Sequence, residues 1–192
     1  MTLQRTRGVV GVAVVAATVM AFAAAQASAT VFESFHYTDE PYAFSYDDCG
    51  FAVDVEGTAS GHVRVREGKG KTETAFLVSD NYSYSETHTN PETGAFVTIT
   101  GNGVFNEVKA TRVEGNVFLF EVVEAGQPFR LYDSDGNLVA RDRGSIRYRY
   151  LFDTEGDDVP GGTPVFEFKP ETHGPHPGFD NFCDLITPLI GS

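Results

Sequence analysis

Positive charge is scarce in this 192-residue chain: 14 lysines and arginines stand against 27 aspartates and glutamates. A surface that acidic repels phosphate backbones and anionic headgroups, so nucleic acid and a membrane surface are not expected as partners. Cysteine is nearly missing too. Cys49 and Cys183 alone leave room for one intramolecular disulfide. Tryptophan is absent, and the aromatic content rests on 16 Phe and 8 Tyr, read mostly as core. There is no G-x-S-x-G nucleophile elbow, and the cysteines suit a disulfide better than a thiolate, so hydrolysis through Ser or Cys has no motif behind it. No cofactor is implied.

The first 29 residues have the layout of a secretory signal peptide. Arg5 and Arg7 precede an apolar run from Val9 to Ala25, and Ala27-Ser28-Ala29 places small residues where a signal peptidase cuts. The competing reading is an uncleaved anchor, since that run is near the lower limit of about 17 residues for a spanning helix. Arg5-Thr6-Arg7 is not a twin-arginine pair, and no cysteine follows the run closely enough to accept a lipid. The expectation is a signal peptide over 1–29 and a single secreted, extracellular β-domain over 30–192, free of the membrane once cleaved. That domain holds twelve basic residues against 27 acids, a net charge of −15. It is long enough to bury roughly two-thirds of its unfolded surface in one core.

Both cysteines belong to the exported part, where an oxidising compartment lets a disulfide persist. A Cys49–Cys183 bond would close a span of 134 residues; two free buried thiols or an intermolecular link are the competing readings. Around Cys183, the residues Phe179, Phe182, Ile186 and Ile190 recur at spacings of three and four, which predicts a short helix. Asp180 is its expected cap, and Pro188 should end or kink it. So short a helix is marginal in water and must dock by its apolar face. Just upstream, His173 and His176 lie in a Gly/Pro-rich loop with Glu171 nearby. They are the metal-ligand candidates, but spacing of three on a loop is not the helical zinc pattern, and closure of the fold is the preferred reading.

From Phe51 to Phe168 the apolar period is two. Phe51, Val53 and Val55, then Val63 and Val65, then Ile146, Tyr148 and Tyr150 alternate with polar residues, as in strands with one wet face. Turn clusters separate them at Glu67–Gly70, Asn90–Gly94, Glu114–Asn116, Asp133–Asn137 and Pro160–Gly162. This predicts an all-β antiparallel barrel of about eight strands, with a β-sandwich as the alternative. Val117 to Val123, apolar at every position but Glu121, is expected to be covered on both sides. The polar run from Asn81 to His88 suits an exposed strand.

Several constellations were weighed for chemistry. Asp133-Ser134-Asp135-Gly136-Asn137 echoes a calcium loop but has Gly144 where the closing acid belongs, and reads better as a tight turn between strands. Asp153, Glu155, Asp157 and Asp158 read as a solvated acidic loop. Glu121 is the catalytic candidate should the barrel position a lumen carboxylate for a cyclase or isomerase reaction, with Glu107 behind it. Tyr37, Tyr42 and Tyr46 are candidates to line a barrel mouth. Asn81-Tyr82-Ser83 matches a glycan acceptor, which is discounted because the Ala/Val-rich leader looks bacterial.

The segments "DCGF" at Asp48–Phe51, "TNPETG" at Thr89–Gly94 and "FCDL" at Phe182–Leu185 together resemble secreted actinobacterial β-domain proteins of unknown function. In that group a similar Cys-Gly-Phe opens the domain and a second cysteine lies near its end. The resemblance implies a secreted β-domain with a terminal disulfide and carries over no catalytic residue. The functional expectation is a non-catalytic binding module for a small apolar molecule or a partner protein.

Overall fold

Apolar residues at every second position carry the chain into extended segments, and four of these run far longer than an ordinary strand. The structure, a computed structural model, describes residues 31–68, 75–156 and 159–191. The segment read as a signal peptide, part of the turn at Glu67–Gly70, and Asp157 and Asp158 lie outside the described residues. The strands are β1 Val31–Thr38, β2 Tyr42–Tyr46, β3 Val53–Glu67, β4 Phe76–Thr89, β5 Phe96–Glu114, β6 Val117–Tyr132, β7 Leu138–Arg141, β8 Gly144–Asp153, β9 Thr163–Glu167 and β10 Glu171–His173. Two helical segments close the chain, α1 Pro177–Asp180 and α2 Phe182–Ile190. Val31–Ser192 is one unit.

Among the described residues all ten strands join one antiparallel sheet in the order β1-β3-β4-β5-β6-β8-β10, with β2 beside β1 on β3, β7 on β6 and β9 on β8. The all-β antiparallel expectation holds, and the barrel does not: a barrel needs its first and last strands to pair, whereas β1 pairs with β3 and β10 with β8. The edges are blunted instead of joined. They are short, β9 carries Pro164, and both rims carry acids, Glu33 on one and Glu167 and Glu171 on the other. Each of these devices discourages further pairing. The central strands β3 to β6 have 15, 14, 19 and 16 residues, against roughly 3 to 10 in most proteins.

Two apolar clusters form at opposite ends of these strands. In the first, α2 lies on Val53 and Val55 of β3, Val97 and Ile99 of β5, and Phe129 and Leu131 of β6. Ile186 and Ile190 are fully buried there, each contributing about 1.5–3 kcal/mol. The Cys49–Cys183 disulfide forms, with Cα atoms 5.2 Å apart, and ties the helix to the segment ahead of β3. The helix begins later than the spacing predicts. Asp180 ends α1, Asn181 stands at the start of α2 without a side-chain cap, and Phe179, thrown off the apolar face by this break, stays exposed. Pro188 sits in the last turn, and α2 ends two residues later.

Asn90 explains the "TNPETG" segment physically. Its Oδ1 accepts from the Glu92 amide at 2.9 Å, forming the turn between β4 and β5, while its Nδ2 donates to the Ile190 carbonyl at 2.7 Å. One buried side chain therefore shapes a turn and satisfies a carbonyl that the helix end would otherwise leave open.

The second cluster holds Leu77, Ala110, Phe118 and Phe120, with Tyr150 and Phe152 packed against it. The run Val117–Val123 lies here and not beneath α2. Phe118, Phe120 and Val122 are buried, but Val117, Leu119, Glu121 and Val123 are only half-covered, so one side of this segment is core and the other is not. Asn81–His88 is likewise an interior strand of the sheet with one wet face, since Tyr82, Tyr84, Glu86 and His88 turn away from solvent.

Candidate functional site

Between the two clusters, the face covered by α2, here the inner face, changes character. Its mid-strand positions are glycines, and the register sets a tyrosine opposite each: Tyr42 opposite Gly57, Tyr37 opposite Gly61, Tyr84 opposite Gly101 and Tyr82 opposite Gly103. The rings lie over the glycines. A Cβ on Gly57 would stand 2.6 Å from Tyr42 Cζ, and one on Gly61 would stand 2.5 Å from Tyr37 Cε1. On Gly101 it would enter both the Tyr84 ring and the Pro128 carbonyl. Glycine in a strand interior marks such close approaches.

Each ring crosses its neighbouring strand and delivers its hydroxyl to the strand beyond. Tyr37 on β1 donates to Asp80 Oδ2 on β4 at 2.9 Å, and Tyr42 on β2 donates to Glu86 Oε1 on β4 at 2.8 Å. Tyr84 on β4 donates to the Pro128 carbonyl on β6 at 2.8 Å, and Tyr82 donates to Glu124 on β6. Glu124 also accepts from Tyr148 at 2.6 Å, and Glu107 accepts from Tyr150 and from the Val78 amide at 2.5 Å. Burial, reinforced by the carboxylates beside them, pushes Tyr37 and Tyr42 up to about 12 and the more enclosed Tyr82, Tyr84, Tyr148 and Tyr150 higher still. These hydroxyls keep their protons and serve as fixed donors.

The inner face opens between Tyr37, Tyr42, Asp80, Tyr82, Tyr84 and Glu86 into a cavity of about 360 Å³. Small inward residues such as Ala59 leave this space. Asp80 Oδ1 is shielded from solvent and has no hydrogen-bond partner. A larger open groove of about 910 Å³ crosses the same strands on the opposite face, where strand alternation puts His36, His62, Asn81 and Gln127. His36 and His62 stack there across β1 and β3, ring centres 4.1 Å apart, with Ser34 Oγ 2.9 Å from His62 Nε2.

Of the three tyrosines expected at a mouth, Tyr37 and Tyr42 line the cavity and Tyr46 does not. Its hydroxyl lies 3.1 Å from His88 Nδ1, and His88 Nε2 lies 3.0 Å from Glu86 Oε2. This hydroxyl–imidazole–carboxylate chain is spaced like a nucleophilic relay, but Phe182 packs against both Tyr46 and His88, and neither residue lines the cavity or the groove described above. Burial pushes Tyr46 up to about 12, the wrong direction for a nucleophile. The relay anchors β2 and β4 beneath the helix.

Glu121 does not face inward. It points to solvent and pairs with Lys109 at 2.8 Å, because pairing with Lys109 places it one residue out of step with buried Phe120 and Val122. Glu107 is the inward acid, only 6 % exposed, and burial raises its carboxyl against the lowering effect of its hydrogen bonds. It lines neither of these two spaces.

The histidine pair separates. His173 is exposed on β10, while His176 is buried, its Nδ1 3.5 Å from Asp142 Oδ2 and its Nε2 3.3 Å from the His173 carbonyl. Asp142 also accepts from the Gly178 amide at 2.8 Å, so His176 and Asp142 seat the entry to α1. Glu171 pairs instead with Arg149 at 3.0 Å. No group of three or more His, Cys, Asp or Glu that could hold a metal occurs among the described residues. In the Asp133–Asn137 turn, the Asp133 carboxylate accepts from the Asp135 and Asn137 amides and the Asn137 side chain, which holds it below its usual range and consumes its oxygens within the turn. Asp153 accepts from the Glu155 amide at 2.8 Å and Glu155 accepts from the Thr163 hydroxyl at 3.1 Å.

The fold and site thus define an open antiparallel sheet with a disulfide-tied C-terminal helix and a tyrosine–carboxylate band at its waist. No protein-family model, curated protein or solved structure matches the chain.

The band escaped the sequence reading because its partners lie 42 to 44 residues apart, as in Tyr82–Glu124, Tyr37–Asp80 and Tyr42–Glu86. The available signal was glycine at inward positions: Gly57 and Gly61 continue the inward phase of Val53 and Val55, and Gly101 and Gly103 that of Val97 and Ile99.

Proposed function

We propose that the chain is an exported, non-catalytic binding module that recognises its ligand or partner across the tyrosine–carboxylate band. One observation carries this reading: the band is preorganised yet uncovered. Every ring is held by a hydroxyl bond two strands away, while α2 covers only the first cluster and leaves the waist open. Fixed groups around an open space lower the ordering cost of binding. An apolar small molecule in a closed lumen loses its support with the open sheet, and a polar ligand or partner fits this surface better. The disulfide supports an oxidising compartment, and among the described residues no helix is long and apolar enough to cross a membrane. Secretion is supported further by the leader and by the resemblance to secreted actinobacterial proteins.

The test is an NMR screen of the mature protein against a library of small polar fragments. Binders should shift the amides of Asp80, Tyr82 and Tyr84, and Ala59→Trp, which fills the cavity while leaving the clusters intact, should abolish those shifts. Shifts confined to other surfaces, or unchanged in the Ala59→Trp protein, would overturn the reading.

A further inference from the structure

The recognition reading leaves the ligand class open, and the chemistry of the cavity narrows it. We propose that the cavity between Tyr37, Tyr42, Asp80, Tyr82, Tyr84 and Glu86 takes a small organic cation, an alkylammonium or quaternary ammonium group. This inference rests on the band being the recognition surface.

The donors and acceptors of the cavity decide the sign of the ligand. All four tyrosine hydroxyls that reach it have already given their protons, to Asp80, Glu86, Glu124 and the Pro128 carbonyl. What remains for a ligand is ring face and carboxylate oxygen. Ser83, its hydroxyl 3.3 Å from that of Ser60, is the one other polar side chain at the border, and among the described residues no lysine or arginine lines the space, so an anion would find no charged partner here. The carboxylates Asp80 and Glu86 border it, and Glu124 lies directly beyond the Tyr82 hydroxyl.

Asp80 supplies an independent indication. Its Oδ2 is satisfied by Tyr37, but its Oδ1 is removed from solvent and accepts nothing. A shielded carboxylate oxygen without a donor is costly, and a buried unsatisfied group calls for a reason. Turning this oxygen toward the cavity would let an ammonium N–H complete it, or set its charge against a quaternary ammonium. The rings add to this, because the negative faces of tyrosines attract a cation within about 6 Å, and quaternary ammonium ligands are bound in such aromatic cages. A volume of about 360 Å³ suits a compact head group. A divalent metal fits less well: no cluster of three ligating side chains occurs among the described residues.

The experiment titrates the full mature protein, followed by NMR and calorimetry, with choline and n-butylamine and, as the neutral isostere of choline, 3,3-dimethylbutanol. The expected result is saturable shifts at Asp80, Tyr82 and Tyr84 with the cations, weakening as salt rises, and at least tenfold weaker binding of the alcohol. Asp80→Asn, which keeps shape and the Tyr37 hydrogen bond, should weaken cation binding at least tenfold, and its unfolding midpoint shows whether the fold is intact. Equal binding of the alcohol, or full binding by Asp80→Asn, overturns the cation while leaving the recognition surface in place. Calcium ions shifting the same amides more tightly than choline would overturn it in favour of an inorganic ion. No shift with these probes, when the fragment screen still finds binders at the cavity, refutes the ligand class alone; silence in both experiments refutes the recognition reading with it.

Discussion

Replacing Gly61 by alanine tests whether the rings lying over glycines hold the sheet's middle. The three atoms nearest a new Cβ all belong to the outer part of the Tyr37 ring, at 2.5 to 2.6 Å, too close for any real contact. The ring must leave. It then loses its bond to Asp80, worth about 1 kcal/mol, and part of its burial against β3, roughly another 1 kcal/mol. Against this, alanine restricts the unfolded chain relative to glycine, which returns about 0.4–1 kcal/mol where the backbone allows it. The net expectation is a destabilisation of about 1 kcal/mol. In a Tyr37→Ala background the obstacle is gone, so the same substitution should become neutral or stabilising, a sign change that contact loss elsewhere cannot mimic. Gly101→Ala should cost more, about 2–3 kcal/mol, because one of its obstacles is the Pro128 backbone carbonyl and cannot swing aside. Guanidinium unfolding of the four proteins of the Gly61–Tyr37 cycle, with the disulfide intact, measures the coupling. An equal cost of Gly61→Ala in both backgrounds would refute the reasoning.

Reducing the disulfide, or replacing both cysteines by serine, should remove roughly 5 kcal/mol by loop entropy over the 134-residue separation, read as a fall in the unfolding midpoint with and without reductant. Asn90→Ala should cost about 1–3 kcal/mol, since it leaves the Ile190 carbonyl unpaired in a buried site, and should raise amide exchange at the end of α2 before the rest of the sheet responds. The two acids should titrate with opposite signs. Burial raises the Glu107 carboxyl, so its contribution to stability falls as pH rises from the unfolded value near 4.5 toward the raised folded value. His88 and Tyr42 hold Glu86 below 4.5, so its contribution is complete above that pH and is lost as pH falls through the lowered folded value. Unfolding free energies against pH for the wild type, Glu107→Gln and Glu86→Gln will show difference curves sloping in opposite directions; parallel slopes would refute the assignment.

These perturbations share one structural cause. Long strands put the sheet's two apolar ends far apart, and the waist between them is held by polar side chains spanning three strands in place of a packed core. Tyr150 and Glu107 extend the same arrangement toward the second cluster, where Arg66 donates to the Glu107 carbonyl at 2.9 Å. The waist is therefore stiff in its hydrogen bonds and open in its packing, the combination that a recognition surface requires.

By itself the sequence determined the local and the forced features. Alternation at Val53–Val55, Val63–Val65 and Ile146–Tyr150 dictates strands because side chains on an extended chain point to opposite faces. Two cysteines permit a single internal bond, and spacings of three and four around Ile186 and Ile190 dictate a helix with one buried side. Only the tertiary structure decided the rest. Whether β1 meets β10 depends on how strand length, twist and edge chemistry combine across the whole sheet, so eight strands in a barrel became ten in an open sheet. A bulge between Glu107 and Lys109 against β6 helps set which acids face the interior, turning Glu107 in and leaving Glu121 on an ion pair in solvent. The band of tyrosines exists because register brings residues more than 40 positions apart into hydrogen-bond range over glycines, and register is a property of paired strands that no single segment carries.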